Sequence, residues 1–197
     1  MILLKFEKTE GFCYISHVDT LRHFQRIFRR MNVKVEYSNG FNPHMLIYFS
    51  SPLPLGLSSL AEYVCIACDT SANEFLELYN KNCPVGLKGI SAVSVEKNPN
   101  LQANVVAAKY LFNDVLRTHD RYIVTYEKKG EEVTEDVTAK IFEINGREAI
   151  LASGAENLRP DRLASICSDC DITQIVKTNQ YLKIGDKLVD VDEYYNL

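Results

Sequence analysis

Ser16-His17-Val18-Asp19-Thr20-Leu21-Arg22-His23-Phe24-Gln25-Arg26-Ile27-Phe28-Arg29-Arg30-Met31 carries the clearest structural signal in this 197-residue sequence. Leu21, Phe24, Ile27, Phe28 and Met31 recur at the three- and four-residue intervals of one helical face, while Arg22, Arg26, Arg29 and Arg30 fill the opposite side. Ser16 stands where an N-cap belongs, with Asp19 three residues on as an approximate capping box. Before this helix, Ile2–Glu7 alternates as a strand does, and Gly11 turns the chain into a short extended piece, Phe12–Ile15. After it, Val33–Tyr37, Leu46–Phe49 and Ala61–Cys68 have strand character. Ala72–Asn82 is a second amphipathic helix with Phe75, Leu76 and Tyr79 inward, and Ile90–Glu96 a further strand. The element order is βαββαβ.

That order predicts a ferredoxin-like unit with a decorated connection between its second and third strands. Lys97-Asn98-Pro99-Asn100 marks a boundary. Beyond it, strands are expected at Val105–Phe112, Tyr122–Glu127, Val137–Ile144 and Ala149–Ser153. A helix opens at Arg159-Pro160-Asp161-Arg162, with proline at the first turn where its missing N–H costs nothing, and Ile172–Ile184 closes the fold. The expected fold class is therefore α+β: two ferredoxin-like units in tandem, residues 1–98 and 101–197, the second smaller and reduced.

Composition narrows the function. The apolar and charged fractions are those of a globular chain, and no apolar run of about 18 residues exists to span a membrane. Six cysteines without an export signal point to free thiols in a reducing, cytoplasmic setting. The net charge of −4 gives no general affinity for nucleic acid, but residues 1–50 hold seven Lys/Arg against four Asp/Glu. That asymmetry provides a local basic face for an anionic partner.

Between Ser16 and Gly56 lie three of the four histidines, His17, His23 and His44, with two segments in which Gly or Pro dictates the backbone. Ser16, His17, Asp19, Ser38, Gly40, Asn42, Pro43 and His44 are expected to converge in one pocket at the start of the helix. His17, on the first turn and near the positive end of the helix dipole, suits a neutral base or a hydrogen-bond donor to an anion. Paired with His44, it could act as acid and base in metal-independent phosphodiester cleavage. Arg22, Arg26, Arg29 and Arg30, with Tyr37, Phe41, Asn42 and His44, have the composition of a surface that grips phosphates and stacks bases. His17, Asp19 and His44 lack a diagnostic metal spacing, so no metal is expected. Cys65/Cys68 fall at i and i+3 of a strand, on opposite faces, and with the distant Cys167/Cys170 they are read as free thiols. No cofactor is expected.

Phe6-Glu7-Lys8-Thr9, Ile15-Ser16-His17-Val18-Asp19, Tyr37-Ser38-Asn39-Gly40-Phe41-Asn42-Pro43-His44, Pro52-Leu53-Pro54-Leu55-Gly56, Glu62-Tyr63 and Leu158-Arg159-Pro160-Asp161 together resemble the bacterial radical-SAM-linked proteins of unknown function. The resemblance is dense before Asn98 and sparse after it. Met45 stands where that family usually has proline. The chain has no C-x3-C-x2-C run and is not itself a radical SAM enzyme. The resemblance implies a radical SAM protein as partner. At the level of fold alone the layout is similar to RAMP proteins that bind and cut CRISPR RNA. The resulting expectation is a non-catalytic accessory that binds RNA, such as tRNA or rRNA, and presents it to that partner. The alternatives are a nuclease built on His17 and His44, or a subunit that only docks protein.

Overall fold

β1 (Ile2–Lys8) leads through a 3-10 turn, Glu10–Tyr14, into α1 (His17–Met31). The computed structural model describes residues 1–197, the side chain of Lys128 excepted. The Ser16 hydroxyl accepts from the Asp19 amide at 3.1 Å, as the cap spacing predicts. Asn32, left-handed at φ 54°, ends the helix. Phe24, Ile27, Phe28 and Met31 are buried, and Phe24 is the hub of an aromatic cluster. Its ring lies 4.8 Å from Phe6, 5.1 Å from Phe49, 5.7 Å from Phe28 and 5.5 Å from Tyr79. β2 (Ile47–Phe49), β3 (Ser58–Ile66), α2 (Ala72–Asn82) and β4 (Gly89–Ser94) follow. These strands run in the order β4-β1-β3-β2, every pair antiparallel, with α1 and α2 on one face.

The second half opens with a single turn, α3 (Leu101–Asn104), and β5 (Val105–Phe112). A separate hairpin, β6 (Ile123–Lys128) and β7 (Glu131–Asp136), then leads to β8 (Ile141–Asn145) and β9 (Glu148–Ala152). α4 (Pro160–Cys167), β10 (Ile175–Ile184), β11 (Lys187–Asp190) and α5 (Val191–Tyr195) complete the chain. Here the order is β10-β5-β9-β8, again antiparallel throughout. α4 and the β6–β7 hairpin cover the same face; Arg162 on α4 lies 3.4 Å over the Tyr126 ring. The whole is a mixed α+β fold built on one large, mostly antiparallel nine-stranded sheet.

The halves join where β3 and β10 run parallel for only two pairs, Ser58–Val176 and Ser59–Lys177. On the opposite sheet face Leu3, Tyr63, Cys65, Val105, Leu182 and Val191 form a core that draws from both halves. Asp192 of α5 pins it by accepting from Lys5 and, at 2.8 Å, from the Tyr63 hydroxyl.

The structure departs from the sequence reading at identifiable points. Phe12–Ile15 is not an extended piece: Glu10 at φ 51° starts a 3-10 turn that takes in Phe12–Tyr14. Val33–Tyr37 makes only isolated bridges, Val35–Cys68 and Tyr37–Met45. Glu36 donates to Ala67 and accepts from Leu46, so the segment threads between two neighbours instead of lining either one. β7 escapes a reading based on alternation because Glu-Glu-Val-Thr-Glu-Asp carries no apolar face. Within the expected strand Val137–Ile144, residues Thr138–Lys140 form a 3-10 turn. Among the described residues no helix is long and apolar enough to cross a membrane.

Phe24→Ala should cost about 3–5 kcal/mol, the usual range for emptying a buried phenyl site. Urea unfolding would register this as a lower midpoint at unchanged slope.

Candidate functional site

Alternation along β1 places Lys8 on the same face as Ile2, Leu4 and Phe6, under α1 and not in solvent. Lys8 pairs across the sheet with Ser59, Ser59 with Lys177, and Lys177 with Tyr110. Four adjacent strands thus contribute one polar row to the helix-bearing face of an otherwise apolar sheet. Irregularities on both sides aim it. The register slips between Phe6 and Lys8 on the β1–β3 pair and between Lys177 and Asn179 on the β10–β5 pair. Such bulges redirect side chains at the point where pairing changes. Glu62, next along β3, thereby reaches Lys177, with Oε1 and Nζ 2.5 Å apart.

Lys8 and Lys177 are each 4% exposed and Glu62 6%. Charges this deeply buried persist only when paired and hydrogen-bonded. Lys8 Nζ donates to the Ile15 carbonyl at 2.7 Å, fixing the approach to α1. Gln180 donates to the Ala61 carbonyl at 2.6 Å and to Ser50 Oγ at 3.3 Å, while its own carbonyl oxygen has no hydrogen-bond partner among the described residues. Glu62 forms its ion pair with Lys177 and acts on Lys8 only through its field, so the row holds two ammonium groups and one carboxylate. Burial chiefly pushes the Lys8 ammonium pKa down, and nearby Lys177 adds to this against the pull of Glu62. Burial likewise pushes the Tyr110 hydroxyl up, reinforced by Glu62 and Asp161.

His17 sits at the edge of this row. Its ring meets Phe49 edge-on at 5.2 Å, and it shares with Lys8, Glu62 and Ser50–Leu53 a crevice of about 10 Å³, space for a single water at most. Burial first, then the Lys8 ammonium, lower its pKa, and Glu62 opposes them. The Pro52–Gly56 loop roofs the row. Gly56, at φ 86°, donates its amide to the Cys13 carbonyl at 2.9 Å, and a side chain there would meet Ile172 at 3.3 Å.

The single pocket expected for the motif residues divides in two, which corrects the sequence reading. Ser16, His17 and Asp19 stand at the start of α1; the Asp19 carboxylate accepts from Ser16 and from Arg22 at 2.9 Å. Ser38, Gly40, Asn42, Pro43 and His44 form an exposed loop at the other end of β2, where Ser38 Oγ lies 2.8 Å from His44 Nδ1. His44 precedes β2 and packs toward the segment after α1, whereas His17 contacts Phe49 at the far end of the strand. A helix of 15 residues spans roughly 22 Å, so its two ends cannot serve one reacting atom.

Arg22, Arg26 and Arg29 are exposed along α1, one helical face at i, i+4 and i+7. Arg30 is also exposed, but it donates to the Asn82 carbonyl at 2.8 Å and clamps α1 to α2. Tyr37 is exposed, and Phe41 at the loop tip fully so. Cys65 and Cys68 belong to cores on opposite sheet faces, and burial pushes each thiol up to about 11. Among the described residues no three His, Cys, Asp or Glu side chains are grouped to hold a metal ion.

Sequence reasoning missed Lys8, Glu62 and Lys177 as site residues. The available signal was a charge in register with apolar neighbours: Lys8 with Ile2, Leu4 and Phe6, and Glu62 with Val64 and Ile66.

Taken together, the fold and site define an α+β protein with a charged row buried at the joint of its sheet and an arginine-faced helix beside it. Over residues 1–183 the chain matches the family described as "Uncharacterized protein conserved in bacteria (DUF2344)", and it belongs to that family. The match takes in every motif above and stops within β10, before β11 and α5. No curated protein matches the chain.

Two outcomes follow. Glu62→Gln strands Lys177 without a counter-charge and should cost about 3–5 kcal/mol in chemical denaturation. The His17 ring should titrate below the usual histidine value of about 6.5 by NMR, and Lys8→Met should move its midpoint up. Because its folded pKa lies below the unfolded one, the unfolded chain takes up the proton first. The His17 contribution to stability is therefore full above about pH 6.5 and declines as pH falls through that value toward the lowered folded pKa. In His17→Gln this decline should be shallower.

Proposed function

We propose that the chain is a non-catalytic accessory to a radical SAM enzyme, one that binds RNA and presents it for modification. The observation that carries the binding half is the row Arg22, Arg26 and Arg29, exposed on one face of α1. Of these three arginines only Arg22 is paired with a carboxylate among the described residues. The segment following α1 exposes Tyr37 and Phe41, whose rings offer stacking surfaces. The radical SAM partner rests on the motif resemblance, and a cytoplasmic location accords with it.

The tandem ferredoxin-like reading belongs to the same proposal. Strand orders β4-β1-β3-β2 and β10-β5-β9-β8 support two βαββαβ units, the second with the β6–β7 hairpin in place of its first helix. The nuclease reading loses its support, since a histidine acid–base pair must reach the same phosphate and His17 and His44 stand at opposite ends of β2. The docking reading keeps one supporting feature, the fully exposed Phe41.

Fluorescence anisotropy with labelled tRNA and a single-stranded oligonucleotide tests the proposal. Wild-type affinity should fall steeply with salt. Changing Arg22, Arg26 and Arg29 together to Glu should weaken binding at least tenfold, and loss of three phosphate contacts should lower the log–log salt slope by about 2 on single strands. If wild-type protein shows no salt-sensitive binding, the docking role replaces it.

A further inference from the structure

A cavity of about 540 Å³ opens beside the buried charge row, lined by the Ser51–Pro54 loop, Gln102 and Ala103 of α3, Tyr110, the Ser153–Ala155 turn, Asn157 and Lys177. It is the size of a small-molecule site and has the mixed lining of one. Pro52, Leu53, Pro54, Ala103 and Ala155 supply apolar walls, and the polar groups include a buried ammonium and a phenol.

We propose that this cavity binds a small organic anion, a phosphate or carboxylate group carried on a compact apolar body. Lys177 and Tyr110 would receive the charged group. Three features support this. Lys177 is an ammonium with three donors, and Glu62 engages it through one oxygen; no other protein acceptor bonds Lys177 among the described residues. Tyr110, its cross-strand partner, is almost wholly buried and lines the same cavity beside Lys177. The row of which both are members holds two ammonium groups, Lys8 and Lys177, and one carboxylate, Glu62. An anion entering the cavity meets the Lys177 ammonium directly, in surroundings where water screens it poorly.

The site is separate from the arginine face of α1, with which it shares no residue, so the two are tested independently. Lys177 and Tyr110 come from β10 and β5, and the walls come from the Ser51–Pro54 loop, α3 and the turn after β9. The family motif Pro52-Leu53-Pro54-Leu55-Gly56 thereby gains a role beyond shaping a strand connection: it forms one wall of the pocket and holds the roof over Lys177.

The test uses the full chain with phenyl phosphate, benzoate and inorganic phosphate as probes, followed by calorimetry and by amide shifts in ¹H–¹⁵N spectra. Phenyl phosphate or benzoate should bind and shift the amides of Ser51, Tyr110 and Gly154. Tyr110→Phe, which leaves the Lys177–Glu62 pair in place, should weaken binding about tenfold, the scale of one hydrogen bond to a charged group. The paired change Lys177→Met with Glu62→Gln removes the ion pair as a unit and leaves Lys8 on the Ile15 carbonyl; it should abolish binding while the protein stays folded by circular dichroism. The Arg22/Arg26/Arg29→Glu protein should bind the probes as wild type does, whatever its RNA affinity. The proposal is overturned if no probe binds folded wild-type protein below about 10 mM, a free energy of only about 3 kcal/mol. It is equally overturned if binding survives both Tyr110→Phe and the paired change unaltered, or if the shifted amides lie on α1 instead.

Discussion

The ion pair between Glu62 and Lys177 is the interaction on which this architecture turns. It joins the two halves of the sheet at the point where their backbone contact is shortest, two residue pairs of parallel β3 and β10. Gln180 fastens the same joint from the other side of the bulge by donating to the Ala61 carbonyl. With only two pairs of residues in register, side chains must supply what the ladder does not. A charge pair does so directionally, because it is satisfied in one alignment of the strands and strands two buried charges in any other.

Burying such a row has a cost that an apolar sheet would not bear. Desolvating two ammonium groups and a carboxylate is unfavourable, and their mutual attraction roughly offsets it only when geometry is good. Apolar residues of similar size could join the strands with equal or greater stability. The charges stand next to a cavity and beneath the Pro52–Gly56 loop. The aromatic cluster around Phe24 makes the row possible by fixing α1 over β1, β2 and α2, so that the start of the helix covers Lys8.

The two ends of α1 have different work. At its start, Ser16 caps the helix with Asp19 bonded to it, and His17 closes one side of the charge row. Along its outer face and toward its end, Arg26 and Arg29 project into solvent. Arg30 illustrates why arginine composition alone overstates a binding surface. Its guanidinium caps the end of α2 and serves packing, although its place on the helix wheel is that of its neighbours.

α1, its Ser16 cap, α2 and the proline-led α4 were legible in the sequence because each rests on local signals: helical periodicity, a hydroxyl at the N-cap, proline at the first turn. The exposed arginine face follows from the same periodicity. β7 was not legible, since a strand without an apolar face leaves no alternation to find, and Val33–Tyr37 was misread because its partners alternate between two neighbours. The expected meeting of His17 and His44 failed for a geometric reason. Both flank turns in sequence, but a 15-residue helix and β2 separate them in space. Lys8 and Glu62 stood in recognised motifs and in register with core residues, yet nothing local says that a charge on the buried face of β1 will meet one from β10. The row pairs residues as many as 169 positions apart, Lys8 with Lys177, through Ser59. Sequence alone determined which residues form helices and which face of each is apolar, because those properties depend on neighbours a few residues away. The charge row, the joint it holds and the cavity beside it were decided by tertiary structure, because strand order and bulges alone determine which distant side chains share a face.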